Sequence, residues 1–326
     1  MNFNARKLYQ KLSLSDSEFD TWLKNMGLLH SKRTCGSRMK LLNPKKDKRY
    51  GNWRCARKSC KKENGFLVGT QFEGTHLSLK EVFQISYYVA RQTHTQEEIQ
   101  FDMQREDGST LSRESIVDWK SIFCEAFGWN ICNNPVIIGG PGITVEIGET
   151  VLTKRKYHRG QLRAEEQWFF GGVERNVNGG DSSKCFLVAV ERRNADTLLP
   201  IIARHVAEGT TIVSDGWAAY GGIERIQMVQ SGNQAYQHFV VNHSENFVNP
   251  NNANTQTIES TWSHFKARHK EERGTSRKAF ASYLFQFLKK YKGPDVLYYL
   301  WQEIAKLYPC EQVADDEDEQ VNEEYE

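Results

Sequence analysis

The stretch ITVEIGETVLTKRKYHRG (Ile143–Gly160) decides how the larger half of the chain is read. It opens on Ile143 to Ile147, a short β-rich run, and ends in polar, basic residues that suit a turn. Two runs of the same kind follow, Trp168 to Val173 and Phe186 to Val190, so three sequential strands are predicted. The period then changes. Asp196 to Ala207 fits a helix with Pro200 in its first turns and Gly209 as its stop. Thr210 to Ser214 reads as a fourth strand and His238 to Asn242 as a fifth. A long amphipathic helix opens near Asn254 to Thr257 and would bury Ile258, Trp262 and Phe265 at i, i+4 and i+7. Three strands, a helix, a strand and later helices predict a mixed α/β layer domain.

Working outward, Asn133 to Gly142 holds two Pro and three Gly and reads as a linker. Before it, Leu77 to Phe127 is helical in pattern, with Ser112 as an N-cap ahead of Ile116, Trp119 and Phe123. Residues 1 to 30 suit one or two short helices, and 31 to 75 are rich in Gly, Lys, Arg and Cys with little helical period. The organisation read from the sequence is therefore 1–30, 31–75, 76–132, 133–310 and an acidic tail, 311–326.

The net charge of +2 conceals a segregation. Asp315 to Glu326 carries eight acidic residues and no basic one, which leaves 43 Lys/Arg against 33 Asp/Glu, or +10, on residues 1–314. Between Lys32 and Lys62 there are thirteen Lys/Arg and one acid, Asp47. An excess of that size suits a polyanion. The tail reads as a disordered, solubilising end. With no apolar run near the roughly 20 residues a membrane helix needs, and no signal-type h-region at the start, the expectation is a soluble protein that is not secreted and has no membrane partner. Seven scattered cysteines argue against a disulfide scaffold.

Two carboxylates stand where a metal site would want them. Asp215 follows the fourth strand at its C-terminal end, where such sheets form ligand sites. Glu259 lies in the first turn of the long helix and shares a face with Ser263, Lys266 and Lys270, opposite the apolar stripe. A carboxylate flanked by lysines is a surface for Mg²⁺ beside a phosphodiester. The structural alternative makes Asp215 a turn residue and Glu259 a helix-dipole partner.

Six blocks now stand in order over about 130 residues: IGGPGITVEIGETVLTKRKYHRG (Ile138–Gly160), WFFGGVER (Trp168–Arg175), VERRNADTLLPII (Val190–Ile202), TTIVSDGWAAY (Thr210–Tyr220), HFVVNHSENFVNP (His238–Pro250) and TQTIESTWSHFK (Thr255–Lys266). Together they resemble the catalytic domain of Merlin-type cut-and-paste transposases and their bacterial insertion-sequence relatives. The resemblance implies an RNase H-like fold and a DDE site in which three carboxylates hold two Mg²⁺ or Mn²⁺ ions. It places the second carboxylate on Asp215 and the third on Glu259. The first, an Asp in the family's VEI block, falls on Gly148. Glycine offers a metal no oxygen. Glu146, two residues away on the same strand face, is displaced by roughly 6.5 Å, and the neighbouring Glu149 points to the other face. Strongly reduced or absent strand transfer is the expectation. The runner-up is a DNA-binding protein without catalysis, recruited from a transposase.

The same resemblance implies double-stranded DNA as partner, in particular transposon terminal inverted repeats. It leaves a homo-oligomer open, and a nuclear location in a eukaryote or a cytoplasmic one otherwise. Lys154, Arg155, Lys156, His158 and Arg159 would meet the DNA backbone. His238 and His243 flank a strand near the inferred site, while Trp217 and Tyr220 read as core.

In the basic block, Cys55-x₄-Cys60 has a workable zinc-knuckle spacing and Cys35-Gly36 resembles the end of another. The family carries a zinc ribbon of four cysteines here, followed by a helix-turn-helix-like segment. Its first cysteine falls on Lys32, and His30 is the candidate fourth ligand to Zn²⁺ beside Cys35, Cys55 and Cys60. For a DNA-reading helix, Ser112 to Phe127 is the choice, although its preceding link, Gln104 to Leu111, is longer than a helix-turn-helix turn.

Overall fold

Side-chain caps start the first helices. Asn4 accepts the Lys7 N–H ahead of α1 (Ala5–Leu12), and Ser15 and Glu18 form a capping box on α2 (Asp16–Asn25). These belong to a computed structural model that describes residues 3–46, 48–91, 93–152, 167–175, 184–226, 236–241, 255–271, 285–286 and 295–313. The chain divides into two units, Met1–Ala126 with Gly293–Glu326, and Phe127–Lys292.

In the first unit the basic block is not helical. It folds as an antiparallel sheet of β1 (Met39–Leu41), β2 (Asn52–Cys55) and β3 (Glu63–Gly65), in that order. Helices α3 (Leu79–Arg91), α4 (Gln96–Asp102) and α5, whose span is Arg113–Asn133, follow. The core is a cluster of rings. Phe83 meets Phe3, Phe19 and Trp22 at 5.9, 5.8 and 5.1 Å, and Trp301 meets Phe72, Phe83 and Phe123 at 5.9, 6.1 and 5.9 Å. Buried aromatics each remove 150–250 Å² from water, so this cluster dominates the unit's stability.

Trp301 corrects the domain boundary. The helix Val296–Leu307, which the sequence assigns to the second domain, belongs to the first unit, where the Trp301 indole N–H donates to Ser86 Oγ at 3.0 Å. The segment after it is tied down as well. Ser31 N–H donates to Glu311 O at 3.0 Å, Gln312 Nε2 to Leu29 O at 2.9 Å, and Val313 N–H to Ser31 Oγ at 2.8 Å. The remainder of the acidic tail, from residue 314, lies outside the described residues.

The second unit is a mixed α/β layer. Its sheet runs β10 (Tyr236–Val241), β9 (Thr210–Asp215), β5 (Thr144–Val151), β6 (Trp168–Glu174), β7 (Cys185–Val190), in that spatial order. The three sequential strands pair antiparallel, and β9 and β10 add in parallel. The expected linker contributes a two-residue strand, β4 (Ile138–Gly139), paired with β8 (Val206–Ala207) at the end of α6 (Ala195–His205).

Alternation along β6 explains the two layers. Phe169 and Val173 point to α7 (Gln256–Glu271), whose Ile258, Trp262 and Phe265 are buried against them with Cys185 and Leu187. Phe170 points the other way, 5.9 Å from Phe186 and 6.3 Å from Tyr220. Gly171 must be glycine: a Cβ there would come within 2.4 Å of the Phe186 carbonyl and 2.8 Å of the Trp262 ring. The missing Cβ leaves the space that the Trp262 ring fills against the sheet.

Candidate functional site

Parallel strands carry their C-terminal ends to the same edge of a sheet, and here that edge gathers the predicted carboxylate positions. The β5–β9 pairing ends with Glu146 across from Val213, and Gly148 and Asp215 each lie two residues beyond that last pair on their own strands. Neighbouring strands lie about 4.8 Å apart, so an aspartate at 148 would share a metal-sized space with Asp215. A Cβ built on Gly148 meets Trp262 Nε1 at 3.6 Å and Ile258 side-chain atoms at 3.8 and 3.9 Å, all ordinary contacts. Position 148 therefore faces α7, one residue before Glu259, and has room for a side chain.

Asp215 is half-buried, and its Oδ1 accepts the Trp217 N–H at 3.1 Å. Glu259 is exposed in the first turn of α7, where the Thr255 hydroxyl approaches Oε1 at 3.4 Å. Ser263 and Lys266 are exposed on the same side, as the helical spacing predicts, while the side chain of Lys270 lies outside the described residues. So do Lys154, Arg155, Lys156, His158, Arg159 and His243, whose DNA-contact or active-site roles the structure leaves undescribed.

Neither neighbouring glutamate can stand in for the absent carboxylate, and each for its own reason. Glu146 is fully buried. Its Oε1 accepts from Arg175 Nε at 2.7 Å and its Oε2 from the Ile258 N–H at 2.9 Å. It thus pairs with an arginine and holds the N-terminus of α7, where an anion belongs. This role is absent from the sequence reading; the signal is a charge in the middle of an apolar strand, TVEIGET. Glu149 points to the opposite face, towards Tyr220. Burial pushes its carboxyl up, the nearby charge of Asp215 adds to the rise, and the Tyr220 hydroxyl and Arg193 oppose it. Among the described residues Asp215 and Glu259 remain at this edge, two carboxylates where the resemblance implies three. The residues present do not fit a complete two-metal set.

Two sequence expectations are corrected at this edge. Tyr220 is buried as expected, but Trp217 is 45% exposed. His238 lies within β10, paired across from Ile212, and its Nε2 is 2.8 Å from Ser214 Oγ. It is tied to the end of β9 and held below the usual histidine range by burial.

In the first unit, Cys35, Cys55 and Cys60 converge, with ligand atoms all within 4.8 Å of one another. Cys35 and Cys60 Sγ are 3.8 Å apart. A tetrahedral zinc with Zn–S near 2.3 Å requires sulfurs about 3.8 Å apart, so the thiols fit the ion. Backbone turns present them: Gly36 has φ +84° after Cys35, and the Arg57 N–H donates to Cys55 Sγ at 3.4 Å. The Lys62 backbone N–H leads the groups that hold the Cys60 thiol below its usual range. His30 does not join them, and this corrects the four-ligand expectation. It is buried, and its Nδ1 accepts the Glu311 N–H at 2.9 Å.

Around these thiols the basic residues are mostly exposed. Lys40 and Arg54 stand directly across β1 and β2, a like-charge pair that an anion would relieve. By contrast, the exposed side of α5 carries Glu114, Val117, Asp118 and Glu125, a poor surface for phosphates. The link from α4 to α5, residues 103–112, is longer than a helix-turn-helix turn.

Compared with known families, residues 141–291, just under half of the chain, match the ISXO2-like transposase domain. The match supports a DDE transposase of insertion-sequence type and implies DNA as partner. No curated protein matches the chain. Among the described residues, no helix is long and apolar enough to cross a membrane.

Proposed function

We propose that this is a Merlin-like, transposase-type protein that binds transposon DNA ends, with strand cutting and strand transfer impaired by Gly148. The matched domain supports the transposase class. The strand order, three antiparallel strands with two parallel ones added beside the first, is the arrangement expected of an RNase H-like domain. The observation that carries the reading is Gly148 itself, on the strand beside that of Asp215, facing Ile258 and Trp262 of α7 and open to a side chain.

With a complete carboxylate set, Mg²⁺ or Mn²⁺ would supply an activated water or 3′-hydroxyl and charge stabilisation at the leaving oxygen. This chain retains what surrounds that chemistry. Glu146 fixes α7 against the sheet, and Lys266, with Lys154, Arg155, Lys156, Arg159 and Lys270, supplies cations for the phosphate backbone. The module of Cys35, Cys55 and Cys60 adds a second DNA contact around a structural zinc. Gly148 also favours the second reading, a host-recruited, sequence-specific DNA-binding protein without catalysis.

The two readings separate in one assay. Duplexes carrying the sequences that flank the gene are incubated with protein and Mg²⁺ or Mn²⁺, and both binding and cleavage are measured. End-specific binding with trace cleavage supports impaired transposase function, binding with none supports the recruited binder, and robust cleavage sinks both.

A further inference from the structure

An exposed aromatic residue held at both ends needs a reason. Trp217 donates its backbone N–H to Asp215 Oδ1 at 3.1 Å and its indole N–H to the Arg193 carbonyl at 3.0 Å. These bonds fix the ring, yet the residue is 45% exposed. The Arg193 guanidinium carbon lies 3.7 Å over the centroid of Trp168 and 5.3 Å from that of Trp217. Arg193 is therefore a cation held between two indoles.

All three sit at the sheet edge that carries Asp215. Trp168 opens β6 and pairs with Val190 at the end of β7, Arg193 follows three residues on, and Trp217 is two residues beyond Asp215. Hydrophobic burial does not account for Trp217, because its neighbour Tyr220, at 1% exposure, fills the core position. Rigid, exposed, flanked by a cation and next to a carboxylate, the indole has the properties of a stacking platform for a nucleobase.

We propose that Trp217, supported by Arg193 and Trp168, stacks an unpaired nucleobase at a DNA strand end, the nucleotide adjoining the phosphodiester brought to Asp215. The assignment rests on the reading that DNA ends occupy this edge. Base unstacking at an end costs least, and an indole face accepts any base, so the platform recognises an open end rather than a sequence. Arg193, half-buried beside the two rings, supplies the cation for the phosphate of that nucleotide.

The full chain is titrated by fluorescence anisotropy against three labelled DNAs: a blunt duplex, the same duplex with a three-nucleotide single-stranded overhang, and that overhang with abasic sites. The parent protein is expected to bind the base-bearing overhang about tenfold tighter than the abasic one, the range of one stacked base. Trp217→Ala should lose that factor on the overhang and keep its blunt-duplex affinity, and Trp217→Phe should retain most of it. Equal affinity of the parent for base-bearing and abasic overhangs overturns the platform and needs no variant. Equal loss by Trp217→Ala on all three DNAs overturns it too. A parent that binds none of the three defeats the DNA-end reading, and the platform with it.

Discussion

On the function proposed, the cysteine cluster of the first unit and the carboxylate edge of the second each lack one ligand, with Lys32 where the resemblance implies a cysteine and Gly148 where it implies an aspartate. The thiols survive the loss. Three sulfurs still converge within 4.8 Å, and a tetrahedral ion can take its fourth ligand from solvent. On the same proposal the carboxylate edge does not, because position 148 belongs to the strand that pairs with β9 and faces α7. A peripheral ligand can be replaced by water; a central one takes the geometry with it.

The largest expected effect tests that contrast directly. Gly148→Asp should raise DNA cleavage by two to three orders of magnitude or more over the parent, the scale of restoring one essential group that stabilises a transition state. The structure permits it, since the nearest atoms to the new Cβ are at 3.6 Å or beyond. Gel-resolved cleavage with Mn²⁺ is the measurement. A folded Gly148→Asp protein with no gain would break the contrast, because the edge would then lack more than one carboxylate.

On the cysteine side, the purified protein should carry about one zinc per chain, and Cys55→Ser should lose it. Elemental analysis decides this. The three-stranded sheet around the thiols is too small to hold together on burial alone, so metal loss should also abolish the module's share of DNA affinity. Zinc retained at full stoichiometry by Cys55→Ser would place the ion elsewhere.

Glu146→Gln comes next in size. It keeps the shape of the side chain but leaves Arg175, 20% exposed, without its partner charge. A cost of about 3 kcal/mol is expected, the low end for breaking a buried pair. In a domain of this size that lowers the melting temperature by roughly 5–10 °C. Zinc content should not change. If stability is untouched, Glu146 is not what fixes α7, and its exclusion as a metal ligand weakens.

How far these features are legible in the sequence differs between the two regions. The strands and α6 are legible because their apolar runs alternate with turn residues; most bounds shift by one or two positions, but the first strand runs four residues past Ile147, to Val151, because its last residues are polar and read as a turn. The stripe Ile258, Trp262, Phe265 is legible because it obeys the helical period. The helix Val296–Leu307 shows its own period but not its destination, since packing on Phe72, Phe83 and Phe123 depends on residues some two hundred positions away. Trp217 misleads for a related reason. In SDGWAAY both aromatics look equally apolar, and only the 3₁₀ turn of Ala218–Arg225 sends Tyr220 inward and leaves Trp217 out. His30 misleads because mirrored spacing with Cys35 carries no information about the backbone N–H of Glu311 that claims its ring.

The smallest effect is one of pH, and it crosses both regions. Burial holds His30 in the first unit, and His205 and His238 in the second, below the usual histidine range. Each is neutral when folded, whereas the unfolded chain takes up protons near pH 6.5. Below that value the unfolded state binds more protons, so stability falls as pH drops from about 7 towards the folded-state values. Glu149 works in the opposite sense: its raised carboxyl is disfavoured as an anion, and acidification relieves it. Asp20 in the first unit, its carboxyl also pushed up by burial, acts in the same sense as Glu149. The three histidines outnumber these two carboxyls, so the melting temperature should fall between pH 7 and 5.5. His205→Gln should remove part of the fall, since that ring is buried, stacked on Phe186 at 4.8 Å, and donates from Nδ1 to the Val136 carbonyl at 2.9 Å. It reports the second unit alone, so a slope unchanged in His205→Gln would move the acid sensitivity to His238 or to His30 beside the thiols. A melting temperature that rises on acidification would show that the buried carboxyls of Glu149 and Asp20 prevail over the histidines, and Glu149→Gln would tell which of the two units carries the rise.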